Sequence, residues 1–163
     1  MTVTLGSTCL WFDKEAEEAA KFYTSIFKNS KINHVSRYGE AGQDIHGQNA
    51  GSVMTVEFEL DGRRFMGLNG GPLFKFNESV SLVVYCDTQE EIDTLWHKFT
   101  ADGGEESHCG WLKDKFGLSW QIVPSILSKL MSDPARADAV MAAFLKMRKF
   151  DIAALEKAYN QAA

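Results

Sequence analysis

The sequence predicts an α+β protein made of two tandem βαβββ modules followed by C-terminal helices. The stretch Ser7-Thr-Cys-Leu-Trp-Phe-Asp13 lines up with Ser81-Leu-Val-Val-Tyr-Cys-Asp87. Slipped by one residue, Phe22-Tyr23 falls on Leu95-Trp96, so a strand–helix unit occurs twice. In each copy the apolar spacing switches from the alternation of a strand to the 3.6-residue period of a helix and back. Two copies indicate a duplicated module rather than a solenoid, which needs more repeats.

Taken in order, Thr4 to Phe12 reads as the first strand and Asp13 as an N-cap. A helix follows from about Glu15 to Phe27, because Ala16, Ala19, Ala20, Tyr23, Ile26 and Phe27 recur at helical spacing. Lys31 to Tyr38 is the second strand. Residues 39–52 are rich in Gly, Gln and Asn and read as a mobile loop. Val53 to Leu60 alternates, with Met54, Val56, Phe58 and Leu60 on one face and Thr55, Glu57 and Glu59 on the other. Asp61-Gly62 is a two-residue hairpin turn, and Arg63 to Asn69 returns.

The pattern then restarts. Val80 to Cys86 is a strand, and Thr88 with Glu91 three residues on forms a capping box. The helix it opens runs from about Gln89 to Ala101 with Ile92, Leu95, Trp96 and Phe99 inward. Cys109 to Pro124 forms a tight hairpin with Asp114, Lys115 and Gly117 near its turn. Its last strand, Ser119 to Val123, sets Gln121 on one face and Trp120 and Ile122 on the other. In the tail, Ser132 or Asp133 caps a helix with Pro134 near its first turn. Val140, Met141, Phe144 and Met147 form one stripe, which suits packing against the module or a partner subunit. Asp151 opens a last helix with Ile152, Leu155 and Tyr159 inward.

The bulk properties exclude several classes. At 163 residues the chain suits one domain, 1–163, divided into modules 1–72 and 78–124 and a helical extension 125–163. A net charge of -5 argues against nucleic acid as a partner, since phosphate binding needs a basic face. No apolar run approaches the roughly 20 residues that span a bilayer, and no basic stretch leads into an apolar core as in a signal peptide. Three cysteines, an odd number, suit a reducing cytoplasm. No G-x-G-x-x-G follows a strand, so no nucleotide-binding motif is present.

The module pair resembles the vicinal oxygen chelate superfamily, which includes glyoxalase I, extradiol dioxygenases and the bleomycin- and fosfomycin-resistance proteins. Leu10-Trp-Phe-Asp13, Phe22-Tyr23, residues 80–87, residues 109–124 and the tail 147–159 resemble its PhnB-like branch, often labelled 3-demethylubiquinone 3-methyltransferase. The resemblance implies that the two modules form a curled mixed sheet, a trough with helices outside. It also implies a homodimer, and metal ligands projecting inward from the first and last strands of each module. In this chain those positions fall near Ser7 or Gly6, at Asn69, at Ser81 and at Gln121. Neutral hydroxyl and amide oxygens hold a divalent ion weakly, so no metal and no cofactor is expected.

Alternation assigns the trough-facing residues. Ser7, Cys9, Trp11, Asn69, Ser81, Tyr85, Trp111 and Gln121 are the candidate ligand-binding set, with aromatic walls and a few polar groups. Glu57 is the candidate general base, against the reading that Glu57 and Glu59 are a solvated strand face. Cys9 is read as a small buried apolar residue before it is read as a nucleophile. His34, His46, His97 and His108 show no ligand spacing. The expectation is therefore a cytoplasmic homodimer that binds a small organic molecule without a metal. The alternative is a lyase, isomerase or transferase, using Glu57 or an unorthodox metal site.

Overall fold

The computed structural model describes residues 2–162. They form two compact units, meeting in sequence between Lys75 and Phe76. The first contains β1 (Thr8–Phe12), α1 (Ala16–Ile26), β2 (Lys31–Arg37), α2 (Gln43–His46), β3 (Val53–Leu60) and β4 (Arg63–Asn69). The second contains β5 (Ser81–Cys86), α3 (Gln89–Thr100), β6 (Glu105–Glu106), β7 (Trp111–Lys113), β8 (Ser119–Pro124), α4 (Leu127–Met131), α5 (Ala137–Phe144) and α6 (Ile152–Gln161).

Each unit builds a four-stranded mixed sheet, and the two have the same topology. The strand orders are β1-β4-β3-β2 and β5-β8-β7-β6. In each, the first strand pairs parallel to the last and the other pairings are antiparallel. The α+β fold of repeated βαβββ modules with C-terminal helices is thus the fold the repeat predicts.

In the first unit, helix α1 packs Ala16, Ala19, Ala20 and Tyr23 against the sheet. The sheet answers with Leu10, Phe12, Val56, Phe58, Leu60 and Phe65, all buried. Phe58 and Phe65 are cross-strand partners and stack at 5.5 Å between ring centroids. Apolar burial of this kind contributes about 25 cal/mol per Å². The predicted capping differs. Asp13 does not cap α1; Glu15 occupies the N-cap without a side-chain cap bond. The amide of Ala16 instead donates to Asn69 Oδ1 at 2.9 Å. The first strand also begins at Thr8 rather than Thr4.

In the second unit, Ile92, Trp96 and Phe99 of α3 meet Leu112, Trp120 and Ile122 of the sheet, with Phe99 stacked on Trp120 at 4.5 Å. The Thr88–Glu91 capping box is present in both directions. The tail buries Leu130, Val140, Phe150 and Leu155, and its helices α4, α5 and α6 pack on one another. Gln89 ties it down: its Nε2 donates to Phe150 O at 3.0 Å, and its Oε1 accepts from Ile152 N at 2.9 Å. Helix α5 starts at Ala137, later than predicted, because residues 133–136 are spent in a turn in which Ala135 N donates to Asp133 Oδ1. It ends at Phe144, so Met147 lies beyond the helix. Among the described residues no helix is long and apolar enough to cross a membrane.

Candidate functional site

The helix-free faces of the two sheets hold most of the candidate residues. In the first unit, alternation along β1 buries Leu10 and Phe12 and turns Cys9 and Trp11 away from α1. Ser7 precedes the strand and is exposed. Cys9 is exposed rather than buried, and partial desolvation holds its thiol pKa above the ordinary value. Less thiolate forms at neutral pH, so the environment does not activate Cys9 as a nucleophile. Glu57 is exposed on β3, paired across the strands with His34 and Met66.

Trp11 is packed by its own unit. Its Nε1 donates to Gly71 O at 2.9 Å, and its ring meets Phe74 edge-on at 4.9 Å. A Cβ built on Gly70 would lie 2.2 Å from the Trp11 ring, so that glycine is where the backbone passes closest to the indole. Here Gly70-Gly71 accommodates a ring.

Asn69 does not share a face with Glu57, contrary to expectation. On β4 it continues the buried set of Phe65 and Gly67, opposite Phe12, while Leu68 takes the other face. Both ends of its amide are engaged within the unit. Oδ1 accepts from Ala16 N, and Nδ2 donates to Val53 O at 3.1 Å. Sequence reasoning missed this cap because its donor lies 53 positions away.

The second unit brings its candidates together. Gln121 lies beside Val83 on β5 and Trp111 on β7, so the three form one row across the sheet. Gln121 Nε2 donates to Ser81 Oγ at 2.9 Å, which fixes the amide and leaves its carbonyl oxygen able to accept from a ligand. Tyr85 extends this face and is 70% exposed, with Val83 at 44%. On the opposite face Trp120 and Ile122 are buried under α3. The hairpin turn that sets this register is held by Asp114, and Gly117 adopts a φ of 84° that suits glycine.

The chain matches the family model described as 3-demethylubiquinone-9 3-methyltransferase over residues 5–123. The chain belongs to this family. It is 37% identical to the PhnB protein of Bacillus cereus, covering 75% of this chain and 100% of that one with a TM-score of 0.65. Protein PA1353 from Pseudomonas aeruginosa is 15% identical, covering 75% of this chain and 98% of that one at a TM-score of 0.58. The fosfomycin resistance protein FosX from Listeria monocytogenes is 15% identical, covering 79% and 98% at a TM-score of 0.52. The last two show the shared fold alone. No curated protein matches the chain significantly.

The resemblance of this PhnB-like chain to the vicinal oxygen chelate superfamily implies a divalent metal, and the donor set does not fit one. Ser81 and Gln121 are neutral and bonded to each other, Asn69 is committed to Ala16 and Val53, and Ser7 is neutral. Among the described residues no three His, Cys, Asp or Glu side chains gather as a candidate metal site. A dication held by uncharged oxygens alone lacks the anionic ligands that offset its dehydration.

Proposed function

We propose that this PhnB-like chain binds a small organic molecule on the helix-free face of its second sheet, without a glyoxalase-type metal. The observation that carries the reading is the row of Trp111, Gln121 and Val83, with the Gln121 amide locked by Ser81. An aromatic wall beside one oriented amide holds a flat organic ligand and fixes its polar group. Tyr85 supplies a second ring. Trp11 and Cys9 offer a similar but more occupied surface in the first unit. The reading also takes the chain as a cytoplasmic homodimer, which the exposed Met141 and Leu145 of the tail and the three free cysteines support.

Native mass spectrometry with metal analysis, on protein purified without chelator, tests this. The expected result is a dimer mass carrying a stoichiometric organic molecule, lost in Gln121→Leu. A stoichiometric divalent ion overturns the metal-free part, and a ligand retained in Gln121→Leu overturns the placement. Glu57→Gln is expected to leave ligand binding unchanged, because Glu57 stands on the other unit's sheet and is solvated. If the chain turns the ligand over and Glu57→Gln abolishes that turnover, the enzyme reading with Glu57 as base replaces pure binding.

A further inference from the structure

A cleft of about 470 Å³ opens at the outer edge of the second sheet. Trp111 and Lys113 of β7, Glu105 and Glu106 of β6, Glu78 and Ser119 are among its lining residues. Its volume lies within the roughly 300–1,000 Å³ of small-ligand sites.

Two independent features characterise this cleft. One is a buried polar atom. Ser119 is 1% exposed, and its hydroxyl has no hydrogen-bond partner. It is the cross-strand partner of Lys113 and lies on the same sheet face as Lys113 and Trp111, both of which line the cleft. A buried hydroxyl without a partner is unfavourable, and a group that bonds it is selected. The other is charge. Glu78 and Glu105 place two carboxylates in the lining against the one ammonium of Lys113. Glu78 pairs with Lys113, while Glu106, opposite Leu112 on the helix side of the sheet, is engaged by Trp96 Nε1 at 2.7 Å and by Arg148 at 3.8 Å. Glu105, cross-strand from Lys113, adds negative charge beyond that ion pair. The Trp111 ring supplies the surface to which organic cations are drawn.

We propose that this cleft binds a small organic cation bearing a hydroxyl or amine, with the charged head against Trp111 and Glu105 and the polar group at Ser119. The proposal rests on the reading that the helix-free face of the second unit is a ligand surface, because Trp111 belongs to both. It narrows the ligand class from organic molecules at large to cations.

The test is an amide-resolved NMR titration of the full chain. The probes are choline chloride and its neutral isostere 3,3-dimethylbutan-1-ol, with potassium chloride as the ionic-strength control. Choline is expected to shift Trp111, Lys113 and Ser119 saturably and about tenfold more tightly than the alcohol, a difference of about 1.4 kcal/mol. Glu105→Gln is expected to weaken choline about fivefold and leave the alcohol unchanged, and Ser119→Ala to weaken both. Equal affinity for the two probes overturns the cation assignment while the small-molecule reading survives. Choline shifts confined to residues outside the cleft, or none beyond those of potassium chloride, overturn the site. If neither probe binds the cleft and Gln121→Leu also retains the co-purified ligand, both readings fail.

Discussion

Asp114 Oδ2 accepts a 2.8 Å hydrogen bond from Trp120 Nε1, six residues further along the same hairpin. The other carboxylate oxygen accepts from Phe116 N at 2.9 Å and Leu118 N at 3.1 Å. One buried side chain thus organises the turn and anchors the ring that stacks on Phe99. Because β8 carries Gln121 between Trp120 and Ile122, the Asp114 carboxylate also fixes which residues reach the open face.

Asp114→Ala is therefore expected to destabilise the second unit by about 3 kcal/mol, since it leaves several buried donors without an acceptor. Asp114→Asn keeps the shape and one good acceptor, and is expected to cost about half as much. Urea denaturation followed by tryptophan fluorescence measures both. A loss under about 0.5 kcal/mol for the alanine variant would show that the turn is held by other means.

The Asp114 hairpin was legible in the sequence because its parts are local: a carboxylate, a glycine with φ of 84° and alternation that buries Trp120. The face of Gln121 follows from the same alternation. The fate of Asn69 was not legible, since its two partners, Ala16 and Val53, lie far away in sequence and no local pattern marks a cap borrowed from a strand. Helix α4 escaped notice because five residues with one buried leucine show no period. The cleft at β6 escaped for a related reason. A two-residue strand, Glu105–Glu106, carries no alternation, so nothing in the sequence sets Glu105 in one cleft with Ser119.

Asn69 makes the capping claim testable. Asn69→Ala removes the acceptor for Ala16 N and the donor to Val53 O and is expected to cost about 2 kcal/mol. Asn69→Asp keeps the acceptor at the helix N-terminus, where negative charge is favoured, but loses the donor, and is expected to cost less. Thermal denaturation ranks the two, and the opposite order would remove the cap from the account of α1.

Cys86 sets a pH limit. Burial first, and then the charges of Glu91 and Asp87, push its thiol from an ordinary 9.0 up to about 11. Between those values the unfolded chain releases the proton and the folded chain retains it. Stability is thus whole below pH 9 and falls as pH rises toward 11, by at most about 1.4 kcal/mol per pH unit. Cys86→Ala is expected to lower stability at pH 7 through lost packing, but to flatten the decline between pH 9 and 11 relative to the parent. Urea midpoints across that range measure the slope, and parallel declines in both proteins would assign the alkaline loss to other groups.

Gly70 and Trp11 are coupled by contact. A methyl group at residue 70 would sit 2.2 Å from the indole, too close for any relaxed packing. The indole is also held by Gly71 O and by Phe74, so it has little freedom to retreat. Gly70→Ala is accordingly expected to cost about 2 kcal/mol, in the range of overpacking substitutions. Trp11→Leu alone loses the hydrogen bond and apolar contact, and is also destabilising. In the double variant the smaller leucine removes the clash, so the combined loss is expected to fall about 1 kcal/mol short of the sum. Strict additivity would mean that the chain evades the clash by moving the Gly70-Gly71 backbone, and the close approach would then be incidental to the fold.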